Sequence, residues 1–302
     1  MNSLINPSAG LPEELHPDLI RILAPNPSPM TFQGTNTYIL GKKELAIIDP
    51  GPNCEAHLKA ILKSIKHDQK ISHIFVTHSH IDHSPLAARL ADLTAAPILA
   101  FGNAVAGKSL VMDSLSELGG GEGLDHNFRP NIILKDGQTT HGKDWTIEAI
   151  HTPGHLGNHL CFNWIEKHFL FSGDLVMGWA SSMVSPPDGD ITDFMSSLKK
   201  LMVRKTDLIY FPGHGDAVYN PSERLKGLFA HRKKREAEIL SALELGLSSV
   251  TNITNKVYKD LDPKLLDAAK RNVLAHLIDL TSRNLCVVEG SITLKSFVIL
   301  SK

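Results

Sequence analysis

Thr77-His78-Ser79-His80-Ile81-Asp82-His83 puts four residues of metal-binding type into six positions. The run starts where a short apolar stretch, Ile71 to Val76, stops. That stretch reads as a buried strand. Pro85 to Leu93 comes next as a helix with proline in its first turn. His78 and His80 are two apart, so in extended chain their side chains share one side and can grip one ion. Asp82 and His83 come where the chain turns into the helix and can face a second ion. Ser79 and Ile81 are expected to point away into the scaffold. Imidazole and carboxylate donors suit zinc, iron or manganese.

Further strands are expected over 36–40, 45–49, 97–100, 132–134, 146–150, 160–164, 168–171 and 207–211, with helices over about 55–66 and 192–203. Strands with helices interspersed mean an α/β architecture. Residues 102–130, with Gly119-Gly120-Gly121 inside, read as an irregular surface insertion near the site. Three more donors sit past strand ends: His155 in Thr-Pro-Gly-His, Asp174 in Ser-Gly-Asp and His214 in Gly-His-Gly. A lone loop histidine is usually an ordinary surface residue, but these three join a cluster. Five histidines and two aspartates suffice for two ions with room for water. His159 lies close to His155 in sequence and is expected to contact substrate or donate a proton. Asp49, ending a strand before Pro50-Gly51-Pro52, is expected either to hydrogen-bond a ligand histidine from behind or only to form the turn.

Composition sets the class. Of 302 residues, 42% are apolar and 21% charged, which excludes a disordered chain. Cys54, Cys161 and Cys286 have no C-x-x-C spacing, so neither a disulfide framework nor a cysteine-rich zinc module is expected. No signal-peptide pattern and no apolar run near ~20 residues is present, so the expectation is a cytoplasmic protein with no membrane partner. Residues 1–221 carry 17 Lys+Arg against 23 Asp+Glu, and residues 222–302 carry 14 against 9. An acidic body with a basic end suggests two modules, 1–221 and 222–302. In the second, helices over 222–245, 251–258 and 263–283 precede a hairpin over 285–294 turning at Glu289-Gly290, the pattern of a winged helix.

The sequence resembles the metallo-β-lactamase-fold hydrolases, on His78 to His83 succeeded in order by the blocks holding His155, Asp174 and His214. The likeness covers about residues 30–220. It implies an αββα sandwich, with His78, His80 and His155 on one metal, Asp82, His83 and His214 on the other, and Asp174 bridging. His231-Arg232-Lys233-Lys234-Arg235-Glu236, Ala275-His276-Leu277-Ile278-Asp279-Leu280 and Ser185-Pro186-Pro187-Asp188-Gly189-Asp190 look like the lactamase-β-like-2 subgroup, which carries a small C-terminal winged-helix domain. Asp82 argues against the β-lactamases that use cysteine or asparagine there. Leu156-Gly157-Asn158-His159 departs from the common threonine-containing form.

The expected activity is metal-dependent hydrolysis of an ester, thioester or phosphodiester bond by a hydroxide bridging two divalent ions. Bound metal lowers the pKa of water to about 7. Zn2+ is the first choice of ion, with Fe or Mn allowed. Asp82 would ligate, orient and take a proton. The expected partner is a small acyl or thioester substrate, or single-stranded RNA if the chain is an endoribonuclease; a homodimer is one assembly allowed. A metal-binding winged-helix regulator is the reading from another class. Against it, the candidate recognition helix mixes Lys264, Lys270, Arg271 and Arg283 with Asp267 and Asp279, whereas a DNA reader usually shows a denser basic face.

Overall fold

The structure, a computed structural model, describes residues 8–115, 118–121, 123–290 and 292–301. Strands β1 (Pro12–His16), β2 (Leu19–Leu23), β3 (Asn36–Leu40), β4 (Glu44–Ile48), β5 (Lys70–Phe75), β6 (Ile98–Ala100) and β7 (Ile132–Ile133) form one sheet in sequence order. Its first four strands pair antiparallel and its last four parallel. Strands β8 (Thr139–His141), β9 (Thr146–His151), β10 (Leu160–Trp164), β11 (Phe169–Gly173) and β12 (Ile209–Pro212) form the second. Only β11 and β12 run parallel there.

Alternation along the strands builds the layers. Tyr38, Leu40, Ala46, Ile48 and Phe75 meet Ala149, Leu160, Phe162, Phe171 and Phe211 of the second sheet. The intervening Ile39, Ile47 and Ile74 face outward onto helices α1 (Glu55–Lys63) and α2 (Leu86–Thr94). On the far side Ile150, Cys161, Leu170 and Tyr210 pack on α4 (Ile191–Met202), with Asp190 capping that helix through Thr192 N at 2.8 Å. Strands buried on both faces must be apolar at nearly every position, as these are. The result is the expected αββα sandwich.

Helix α5 (Pro221–Glu244) opens the C-terminal region, followed by α6 (Val250–Val257), α7 (Leu266–Ser282) and the ribbon β13 (Cys286–Val288) with β14 (Val298–Leu300). Leu225 and Leu228 of α5 belong to the outer core of the second sheet. Ile239, Ala242 and Leu243, further along the same helix, belong to a separate winged-helix core.

Several elements differ from expectation, among them the unforeseen strand β8. The 102–130 insertion is not wholly irregular: α3 (Leu110–Ser114) forms behind a Ser109 cap, and buried Met112 joins the winged-helix core. The hairpin does turn at Gly290, but its second strand is Val298–Leu300, with Val287 opposite Ile299. Ile292 turns into the module's core instead of running back along β13. The β1–β2 hairpin was not expected, since Pro12-Glu13-Glu14-Leu15-His16 lacks apolar alternation. It is anchored by buried Arg21 on Glu13 at 2.6 Å.

Candidate metal centre

β4 and β5 end side by side, and Asp49, just past β4, ties the two chain ends together. Its backbone is left-handed (φ 51°), a conformation that Asp tolerates better than most residues. One carboxylate oxygen accepts Thr77 N at 2.7 Å; the other accepts Thr77 Oγ1 at 2.7 Å and His83 Nδ1 at 2.8 Å. Thr77 Oγ1 in turn accepts from His78 Nδ1 at 2.9 Å. With Nδ1–H committed behind, Nε2 of both rings is free to face forward.

The structure brings all seven expected donors to one end of the sandwich. His78 Nε2 and His155 Nε2 each lie 3.0 Å from His80 Nδ1. His214 Nε2 lies 3.2 Å from Asp82 Oδ2 and 3.4 Å from His83 Nε2. Asp174 faces both groups, with Oδ2 3.6 Å from His155 Nε2 and 3.3 Å from His214 Nε2, and Oδ1 3.5 Å from His83 Nε2. Donors around one tetrahedral ion, at about 2.0–2.1 Å each, stand about 3.3 Å apart. These separations therefore fit two ions, one within His78, His80, His155 and Asp174, the other within Asp82, His83 and His214. Asp174 Oδ1 is buried with no hydrogen-bond partner, an orphaned acceptor that a cation would satisfy. Gly213 makes the room: a Cβ there would stand 2.4 Å from Asp174 Oδ1.

Backbone carbonyls orient two further rings. His155 Nδ1 donates to Met183 O at 2.8 Å and His214 Nδ1 to Gly34 O at 3.1 Å. Thr35 Oγ1 donates to Asp82 Oδ2 at 3.0 Å and itself accepts from Asn26 Nδ2 at 2.9 Å. Burial holds the His80 ring near a pKa of about 3 and pushes His78 down as well, keeping both in the neutral form that ligates. Burial also disfavours charge on His83 and His214, but the surrounding carboxylates outweigh it. Asp82, Asp174 and Asp49 raise His83; Asp174 and Asp82 raise His214 to about 9.

His159 is not brought to the cleft. It is fully buried behind the donors, with Nδ1 on Thr152 Oγ1 at 2.9 Å and Nε2 accepting Asp174 N at 3.2 Å. The substrate contact expected of it therefore has no geometric basis. Of the two residues expected to point into the scaffold, Ser79 does, whereas Ile81 is 53% exposed. The insertion loop crosses here instead, Ile81 N donating to Gly123 O at 2.8 Å.

Above the donors lies a cleft of about 410 Å³. Met30, Met177, Trp179 and Met183 line it from the catalytic side, and Tyr258, Leu261, Leu265 and Ala269 from the winged helix. Trp179 stacks on Phe32 at 4.9 Å. None of these carries a spacing signal in the sequence. The proximity of Tyr258, Leu261, Leu265 and Ala269 to the donors comes from the packing of the winged-helix region.

An αββα sandwich with His and Asp donors gathered past its strand ends defines a protein of the metallo-β-lactamase fold. The family profile described as "Metallo-beta-lactamase superfamily" matches residues 30–214, and "Beta-lactamase associated winged helix domain" matches residues 249–294. The chain belongs to the metallo-beta-lactamase superfamily and is a hydrolase of that superfamily. It is 32% identical over 272 residues to "Beta-lactamase-like protein 2 homolog" of Drosophila melanogaster, covering 86% of each chain. It is also 32% identical over 234 residues to "Atrochrysone carboxyl ACP thioesterase AgnL7" of Paecilomyces divaricatus, covering 77% of this chain and 66% of that one. The chain thus spans about two thirds of that fungal relative. A beta-lactamase domain protein from Burkholderia ambifaria superposes with a TM-score of 0.79 at 21% identity, over 99% of this chain and 96% of the other, which establishes the shared fold.

Proposed function

We propose that this protein is a dinuclear metallo-hydrolase of acyl thioesters. The observation that carries the reading is the pairing of seven close donors with an apolar cleft directly above them. The thioesterase named among the relatives points the same way. His78, His80 and His155 would hold one ion, Asp82, His83 and His214 the other, and Asp174 would bridge them. Zn2+ suits the donor set best, with Fe or Mn as other candidates. When bound, the ions would activate water and polarise the scissile carbonyl. Asp82 ligates and orients through Oδ2, fixed by Thr35. Asp82 would also take the proton released on hydrolysis. Asp49 holds the His83 and Thr77 side of the centre. His159 positions Asp174 by accepting its N–H. The apolar walls exclude water and hold the acyl chain against the donors.

Single-stranded RNA is the weaker reading, because no Lys or Arg is among the described residues lining this cleft. The regulator is weaker still: α7 buries Ala269, Val273, Leu274, Leu277 and Leu280 and gives its first turns to the cleft wall. We also propose the division into residues 1–221 and 222–302, with α5 shared between them. No helix among the described residues is long and apolar enough to cross a membrane. The three unpaired cysteines support a reducing, cytoplasmic setting.

The test is a parallel assay of the metal-loaded protein on acyl thioesters of increasing chain length, single-stranded RNA and a chromogenic β-lactam. Thioesters are expected to be the preferred class, with kcat/KM rising with chain length. Efficient RNA cleavage with no thioester turnover would overturn the proposal.

A further inference from the structure

The run His231-Arg232-Lys233-Lys234-Arg235-Glu236 lies on α5, outside the donor set. Exposed Lys233 pairs with Glu236, and half-buried Arg235 pairs with Glu238 and donates to Val257 O at 3.0 Å. Arg232 is different. It is 2% exposed and its Nε has no partner. Among the described residues it forms no ion pair with a carboxylate. Burial pulls its guanidinium down to about 10, so it stays charged at neutral pH. It stacks over Phe194 at 5.1 Å and lies beside His276, itself buried with neither ring nitrogen bonded. A buried, unpaired cation is costly, and a methionine would fill the space without that cost.

The contacts of the guanidinium explain its place. Nη2 donates to Ser182 O, and Nη1 donates to Asn272 Oδ1 at 3.1 Å. Asn272 Oδ1, on α7, also accepts Val184 N at 3.2 Å. Just over two turns earlier on α5, Arg224 donates to Met177 O and Ala180 O, both at 2.6 Å. The winged-helix side therefore holds segment 177–184 at four backbone atoms. Two groups of that segment reach the donors: Met183 O accepts His155 Nδ1 at 2.8 Å, and Ser182 Oγ donates to Asp174 O.

We propose that Arg232 is a positioning residue for the metal centre, fixing the 182–184 backbone so that Met183 O and Ser182 Oγ orient His155 and Asp174. The winged helix then acts on the chemistry from behind as well as lining the cleft in front. This rests on the reading of His155 and Asp174 as metal donors.

The test is zinc titration of the metal-free full chain against a chelating dye, beside circular dichroism and melting of the metal-free variants. Arg232→Met is expected to weaken the ion at His78, His80, His155 and Asp174 by about 10–100-fold, the usual scale for losing a group that orients a ligand. Arg232→Lys should fall between, since a single ammonium cannot reproduce the planar fork. Ser182→Ala, which removes one hydroxyl, should weaken the same ion, and Lys233→Met should leave it unchanged. Folded Arg232 and Ser182 variants with wild-type zinc affinity would overturn the proposal, even if they melt lower. If neither Arg232 variant folds, Ser182→Ala decides, and wild-type affinity there overturns it. A wild-type chain that takes no zinc would instead sink the metal reading, and this proposal with it.

Discussion

Asp174 carries more of the centre than any other residue, because its two oxygens reach the donors of both groups. Asp174→Ala is expected to abolish metal uptake and hydrolysis together, measured by elemental analysis and thioester turnover. Full activity in that variant would remove the bridging role. Thr35→Val keeps shape and deletes only the hydroxyl that holds Asp82; it should weaken the Asp82, His83 and His214 ion about tenfold or more in the same zinc titration. Protons compete for that position as well. With folded pKa values raised above the usual ~6.5, His83 and His214 are protonated in the metal-free chain near neutrality. Their protonation stabilises the metal-free fold below about pH 6.5, and for His214 that contribution is lost as pH climbs to about 9. Zinc affinity should therefore rise over the same window, with protons released on binding. Calorimetry in buffers of different ionisation enthalpy checks this, and a pH-independent affinity would contradict it. The gathering of these seven side chains was legible in the sequence because each lies just past a strand. The carbonyls of Gly34 and Met183 were not, since any residue can supply a carbonyl and these lie 180 and 28 positions from the rings they orient.

Among the elements, α5 has the most mixed allegiance. Its charged stretch was readable as a long helix, but not that its first half belongs to one core and its second to another. Leu228→Ala should cost about 2–5 kcal/mol of stability in denaturant titration, as a buried truncation does. Leu245→Ala, just past the helix and 66% exposed, should stay within about 0.5 kcal/mol. The loop before β3 overhangs the cleft through Met30, and Phe32 takes a left-handed backbone there (φ 56°) while stacking on Trp179. Strain in a bulky residue beside a site suggests the loop is held for binding. Trp179→Ala should lower kcat/KM for long-chain thioesters by up to about tenfold, the scale of one aromatic stack, and spare short ones. Equal loss on both would refute a role in chain recognition. The wing strand escaped reading because Ser291-Ile292-Thr293-Leu294 alternates as a strand would, and only the three-dimensional core shows that Ile292 is needed inside.

At the scale of the molecule, the donors come from both layers: His78 to His83 lie past β5 of one sheet, while His155, Asp174 and His214 lie past β9, β11 and β12 of the other. Ions bound there would clamp the sandwich. Melting temperature should rise with free zinc, by the equivalent of about 4 kcal/mol at a thousandfold excess over Kd. The sandwich was legible in outline, from strands apolar on both faces. The cleft was not, because one wall is supplied by a module whose docking leaves no mark on spacing. That module is entered through one continuous helix, α5, whose two halves belong to different cores. Such a molecule is expected to lack a hinge where α5 spans the two cores. It should unfold in one cooperative transition, with fluorescence and circular dichroism changing together, and a chain cut after residue 221 should be a fragment of a folding unit, not a smaller enzyme.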